Sequence, residues 1–305
     1  MWGHRSPHLL RATSAPFYLP SCAFHFRAGR SPGMGRGIER GLRSRWALVA
    51  GTFAVLAAIA SGCGSSDDSS TTTPTSTPTT ASASASRLAP VHGTYAPKID
   101  PTNFVTAIDN PYFPLKPSTG FHYQGVAENG STPQTDDMVV THQTKQILGV
   151  AATVVRDTVS SHGRPIEKTF DWYAQDKGGN VWYMGEDTRE LDHGRFVKQS
   201  DSWEAGVDGA EPGIIMPGDP QPGDAYRQEY YPGYALDQAR VLGSGGPVSV
   251  PYGSYKDTLA TVETSPKIDP GVRERKYYVR GVGDIKEHTV SGNHEQIKLI
   301  SITHQ

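Results

Sequence analysis

Along Lys168-Thr169-Phe170-Asp171-Trp172-Tyr173-Ala174 the side chains alternate, with Phe170, Trp172 and Ala174 on one face and Thr169, Asp171 and Tyr173 on the other. A period of two is the mark of a half-buried strand, and no stretch of comparable length shows a helical period. Between such runs stand Asn129-Gly130, His162-Gly163, Gly178-Gly179-Asn180, His193-Gly194 and Gly292-Asn293. Gly and Asn tolerate the positive φ of tight hairpins. The pattern predicts strands over about 120–127, 136–147, 150–160, 166–174, 180–186, 195–200, 225–231, 248–251, 257–264, 272–280, 282–290 and 295–303. The fold class that follows is all-β: antiparallel curved sheets forming a sandwich, half-barrel or barrel over residues 95–305.

The two halves of that region align on one another. Pro117 and Phe121 match Pro222 and Tyr226, Gly149 matches Gly253, Trp172-Tyr173 match Tyr277-Tyr278, and Val181 matches Ile285, with offsets of 104 or 105 residues. The expectation is a pair of pseudo-repeats, about 115–200 and 220–303. Two such sheets would bury their apolar faces against each other or close into one barrel, since an open sheet leaves an apolar face and two edges exposed.

The N-terminal part reads differently. Arg36, Arg40, Arg43 and Arg45 precede the uncharged run Trp46 to Ala60, which ends in Ala60-Ser61-Gly62-Cys63. This is the layout of a signal peptide, over 34–62. The run is 15 residues long, whereas a helix needs roughly 20 to cross a bilayer. The Ala-Ser-Gly-Cys ending resembles the lipobox of bacterial lipoproteins, which implies diacylglycerol on the thiol of Cys63 and a membrane as partner through that anchor. Residues 1–33, with Arg5, Arg11, Arg27 and Arg30 scattered among Pro, Ser and aromatics, fit no signal; the expectation is that they are either unmade, with translation from Met34, or disordered. Residues 63–94, rich in Ser, Thr, Ala and Pro, read as a tether of the anchored Cys63. The expected address is extracytoplasmic, on the bacterial cell membrane.

Composition sharpens this. The 305-residue chain carries 29 Lys+Arg and 31 Asp+Glu, yet eight Arg and a single acid lie before Cys63. From Cys63 onward 21 basic residues face 30 acidic ones, a net charge of −9. That balance argues against sequence-independent nucleic-acid binding. Cys22 and Cys63 are the two cysteines; with the first removed and the second acylated, thiol and cysteine–metal chemistry are excluded for the mature protein. The mature histidines form neither HxH nor HExxH pairs, and Ser254 in Tyr252-Gly253-Ser254-Tyr255 lacks a GxSxG elbow.

The candidate site is the segment Asp201 to Pro222, read as a long loop interrupting the repeat, with Trp203, Glu204, Asp208 and Glu211 as binding residues. Tyr231 and Tyr234 join them, because Pro232-Gly233 turns the chain between them. A hard cation such as calcium would suit oxygen ligands from the carboxylates of that segment or from Asp171, Asp176 and Asn180, though neither set has the spacing of a known calcium loop. The same Asp176 and Asn180 would equally satisfy the backbone of a turn. Two functions remain: non-catalytic binding of a ligand or envelope partner, and an extracytoplasmic hydrolase using Asp or Glu residues near Asp208.

Further residues carry a resemblance. Asp171-Trp172-Tyr173-Ala174-Gln175-Asp176-Lys177-Gly178-Gly179-Asn180-Val181-Trp182-Tyr183, with Ser202 to Gly209 and Pro212 to Pro217, resembles uncharacterised secreted bacterial lipoproteins, a likeness that implies no activity. Tyr277-Tyr278-Val279-Arg280-Gly281-Val282-Gly283 is similar to envelope β-proteins with half-barrel sheets.

Overall fold

A computed structural model describes residues 84–304. The signal, Cys63 and most of the tether lie outside the described residues. In chain order the strands are β1 (Phe104–Val105), β2 (Thr119–Val126), β3 (Pro133–Ile147), β4 (Val150–Ser161), β5 (Arg164–Asp176), β6 (Val181–Asp192), β7 (Arg195–Lys198), β8 (Trp203–Glu204) and β9 (Glu211–Met216). The second half supplies β10 (Ala225–Arg227), β11 (Glu229–Tyr230), β12 (Gln238–Ser244), β13 (Val248–Val250), β14 (Gly253–Tyr255), β15 (Leu259–Ser265), β16 (Asp269–Val279), β17 (Gly283–Ser291) and β18 (Gln296–His304). Each expected hairpin tip falls between two strands. His162 and His193 take positive φ of 51° and 46°, each followed by a left-handed Gly, as tight hairpins require.

All strands except the β13–β14 hairpin belong to one antiparallel sheet, along the path β10-β12-β15-β16-β17-β18-β2-β3-β4-β5-β6-β9-β11. The two ends of this path are neighbours in the chain, separated by Gln228 alone. The sheet therefore curls until both edges share one stretch of backbone, an almost closed barrel. Gly213 permits that seam: a Cβ there would stand 2.2 Å from the Gln228 carbonyl oxygen.

Antiparallel pairing sends successive turns to opposite ends of the barrel. One end is crossed by residues 108–115, in which Ile108 bridges to Leu115. Asn110 Nδ2 donates to the Gly179 and Pro217 carbonyls on one side, and Gly281 N–H donates to the Pro111 carbonyl on the other. Phe113 meets Tyr173 edge-on at 5.5 Å, so this end is capped by apolar groups. The opposite end carries the turns at 162–163, 193–194, 266–268 and 292–295.

Two expectations are corrected. The segment from Asp201 to Pro222 is not a free loop: β8 and β9 pair with β6, and Ile214, Ile215 and Met216 are buried. Pro212 and Gly213 hid a strand that forms one side of the seam. The folded unit also begins before Tyr95, because Ala85 and Ala89 are buried and Arg227 N–H donates to the Ala89 carbonyl.

The inward face is the other surprise. Thr169 and Asp171 point into the barrel and are buried, whereas Phe170 on the outer face is 42% exposed. On this side the polar half of the alternation faces in. Trp172 is covered from outside by Lys145, whose Nζ lies 3.3 Å from the ring centroid and 2.7 Å from Glu204 Oε2.

Candidate functional site

Cross-strand register brings the inward polar side chains together. Asp171 on β5 stands opposite Glu186 on β6, and Thr169 opposite Thr188. Asp157 and Val159 on β4 lie beside Thr169 and Asp136 respectively. Inside a barrel these carboxyls cannot keep a full hydration shell, and burial pushes them up. Asp171 rises from 3.8 to about 7 and Asp136 to about 6, while Asp157 and Glu186 rise well above the usual carboxylate range.

The geometry explains where the protons sit. Tyr183 Oη lies 2.6 Å from Asp171 Oδ1 and 2.7 Å from Glu186 Oε2. A phenol has one proton to give, so one of those carboxyls must be protonated and donate in return. Asp136 and Asp157 are bonded to each other, with Asp157 as the group whose protonation the contact favours. A third pair, Glu287 donating to Asp284, lies across the barrel, where Asp284 is pushed up to about 7. Between β16 and its neighbours Lys276, 1% exposed, reaches Glu263 at 3.1 Å and Glu287 at 3.4 Å.

At the seam stands Glu229. It is fully buried, neither of its oxygens has a hydrogen-bond partner, and its strongest electrostatic neighbours are Asp237, Glu186, Asp201 and Asp171. Gln228 next to it is equally buried, with both side-chain polar atoms unpartnered. Tyr173 and Tyr183, stacked at 4.9 Å, lie in the same carboxyl-lined barrel interior, and both respond to the Glu229 charge.

The residues singled out from sequence part company here. Trp203 joins the chamber: it packs edge-on against Tyr183 at 5.3 Å, opposite Glu186, with its indole N–H unpartnered. Gly185 makes this possible, since a Cβ there would lie 2.3 Å from the Trp203 carbonyl oxygen. Glu204 instead faces outward to Lys145. Asp208 sits at the tip of a turn with φ of 51°, near Tyr231, and Tyr231 stacks on Tyr234 at 4.5 Å. Glu211 is paired opposite Tyr230 in the seam, and partial burial raises its carboxyl.

Asp171 is separated from Asp176 and Asn180, which close the β5–β6 turn. Asp176 accepts from Asn180 N–H, Asn180 Nδ2 and Trp182 Nε1, and Asn180 Oδ1 accepts from Gly218 N–H. Among the described residues no group of three or more His, Cys, Asp or Glu is arranged to hold a metal ion. Sequence reasoning missed Glu186, Glu229, Asp136, Asp157 and Lys276. The available signal was polar or charged residues at alternate strand positions, as in Glu186 and Thr188 or Glu274 and Lys276, which the half-buried reading turns toward solvent.

A second concavity lies beside the seam at the uncapped end, a cleft of about 670 Å³ whose wall includes Arg227, Tyr230, Leu236 and Lys267. Among the described residues no helix is long and apolar enough to cross a membrane. No family model matches the chain, and no curated protein matches it either. Among solved structures it is similar to a protein inferred to be exported, with a YmcC-like fold, from Bacteroides fragilis, at 12% identity and a TM-score of 0.34, over 63% of this chain and 98% of that one. It is also similar to an inferred lipoprotein from Parabacteroides distasonis, at 9% identity and a TM-score of 0.33, with the same coverage. Neither description states an activity, and likeness at this level assigns none.

Proposed function

We propose that the chain is a lipid-anchored, extracytoplasmic binding protein that acts without catalysis, and that its ligand enters the carboxyl-lined interior of the barrel. Cys63 carries the diacylglycerol, and the Ser/Thr/Pro tether holds the barrel clear of the membrane surface. The two meanders β2 to β6 and β10-β12-β15-β16-β17 are read as the two halves of the duplication expected from the 105-residue offset, five strands in each. The observation that carries the reading is Glu229, a fully buried carboxyl with two unpartnered oxygens among other acids. A buried polar group without a partner is costly, so a ligand that supplies hydrogen-bond donors gains most there. The ligand class is a compact organic amine, taken up as a cation by the carboxylates and sheltered against Tyr173, Tyr183 and Trp203.

The test is native mass spectrometry of the full-length lipoprotein released from mild detergent, followed by calorimetric titration with putrescine and spermidine. The expected result is retained or titratable amine at one equivalent, weakened about tenfold or more in Glu229→Gln. A bare mass together with no heat from either amine refutes the proposal.

A further inference from the structure

The cleft at the uncapped end has the opposite electrostatic character from the chamber behind it. Among the described residues its lining includes Arg227, Lys267 and His92 and no Asp or Glu. In a chain with a net charge of −9 from Cys63 onward, this wall is locally basic.

Arg227 is the fixed element. It is 8% exposed, its Nε donates to the Pro90 carbonyl at 2.8 Å, and its Nη2 donates to the Val91 carbonyl at 2.9 Å. Its guanidinium also lies 4.9 Å from the Tyr230 ring centroid and 5.4 Å from that of Tyr95. Carbonyl dipoles and ring faces hold the plane of the group but leave its charge intact. Among the described residues Arg227 has no carboxylate ion pair. A buried cation without a counter-charge is costly to keep, and an anion arriving in the cleft lowers that cost.

Val91, Leu236 and Ile268 add apolar side chains to the wall, with Tyr230 and the polar Gln238 beside the basic groups. The volume of about 670 Å³ far exceeds what a lone inorganic anion fills and lies within the range of small-molecule sites. We propose that this cleft binds a single-chain amphiphile through its anionic head, with Arg227 and Lys267 on the head and Leu236 and Ile268 along the chain. The head is a carboxylate if the ligand is a fatty acid and a phosphate if it derives from a phospholipid; both present oxygens to a guanidinium in the same way.

Among the described residues every member of the hydrophobic core lies between Ala85 and Leu299, so a chain from Gly64 to Gln305 carries the whole described fold and is used for the test. Decanoate, decyl phosphate, decyltrimethylammonium and decyl maltoside, each below its micellar concentration, would be titrated into that chain by calorimetry. Saturable one-to-one binding of decanoate, decyl phosphate or both, without binding of the cationic or sugar-headed probe, is the expected result. Preference for one anion identifies the source of the head.

Lys267→Glu on the exposed turn should weaken the anions by at least about fivefold with an unchanged melting transition. Arg227→Met should abolish binding where it folds. The proposal is overturned if neither anion binds saturably, if decyl maltoside binds as well as the anions, or if Lys267→Glu leaves anion affinity unchanged.

Discussion

The two sides of the barrel hold the same kind of residue in different charge states. On the β15–β17 side Lys276 lies 3.1 Å from the Glu263 carboxyl, and although burial alone would lower the lysine, its carboxylate neighbours push it further up. On the β3–β6 side Asp136, Asp157, Asp171 and Glu186 have no Lys or Arg ion pair among the described residues. Protons shared within Asp136–Asp157 and across Tyr183 take the place of the missing cation there. A covalently attached cation neutralises over a wide pH range. A borrowed proton does so only while the solvent allows it, and the amine proposed above would replace that proton at neutral pH.

Removing the fixed cation should have the largest effect. Lys276→Met leaves buried carboxylates without their counter-charge, which costs about 3–5 kcal/mol and lowers the melting temperature by about 10 °C, measured calorimetrically at pH 7. If the melting temperature is unchanged, the lysine is not what neutralises that side.

The borrowed protons come next. Asp171, at about 7 in the folded chain against 3.8 when exposed, binds more protons folded than unfolded between those values. Stability is then full below pH 3.8 as far as this group is concerned, falls as pH rises through that window, and levels off above it. Asp136, at about 6, adds to the fall over the lower part of the window. The melting temperature at pH 8 is expected below that at pH 5 by at least about 5 °C. Asp157→Asn combined with Glu186→Gln should flatten the dependence, because amides supply a permanent N–H donor where a proton was needed. A pH profile as steep in the double variant as in the parent chain would show that the fall originates elsewhere.

A carboxylate outside the barrel sets the baseline. Asp208 occupies a left-handed position at an exposed turn tip, where glycine is less strained. Asp208→Gly should change stability by about 1 kcal/mol or less, and denaturant midpoints in parallel with the parent would detect it.

The strand-and-turn layout was legible because it rests on local rules. Alternation marked β5, and His162-Gly163 and His193-Gly194 marked hairpin tips through the positive φ they tolerate. β12 was not legible: of its inward residues Ala239, Val241 and Gly243, only Val241 is β-branched and none is aromatic, so the strand signal is weak. β9 was hidden by Pro212 and Gly213, which local reading takes as breakers, although Gly213 is there so that Gln228 can pass close by. Of the candidate residues, Trp203 and Asp171 lead to the chamber. Glu229, Glu186 and Lys276 were invisible for one reason: without the closure of the sheet, nothing distinguishes an inward acid from a solvated one.

The pairing of β18 with β2, from Gln296 against Val126 to His304 against Thr119, has a consequence for the order of folding. It joins positions about 170 or more residues apart in the chain, so the loop it closes spans most of the described fold. Until that closure β2 keeps one edge unpaired, and the open edge needs shielding from other chains. Hairpins formed early make a sheet, and only this distant pairing joins its two halves into a barrel.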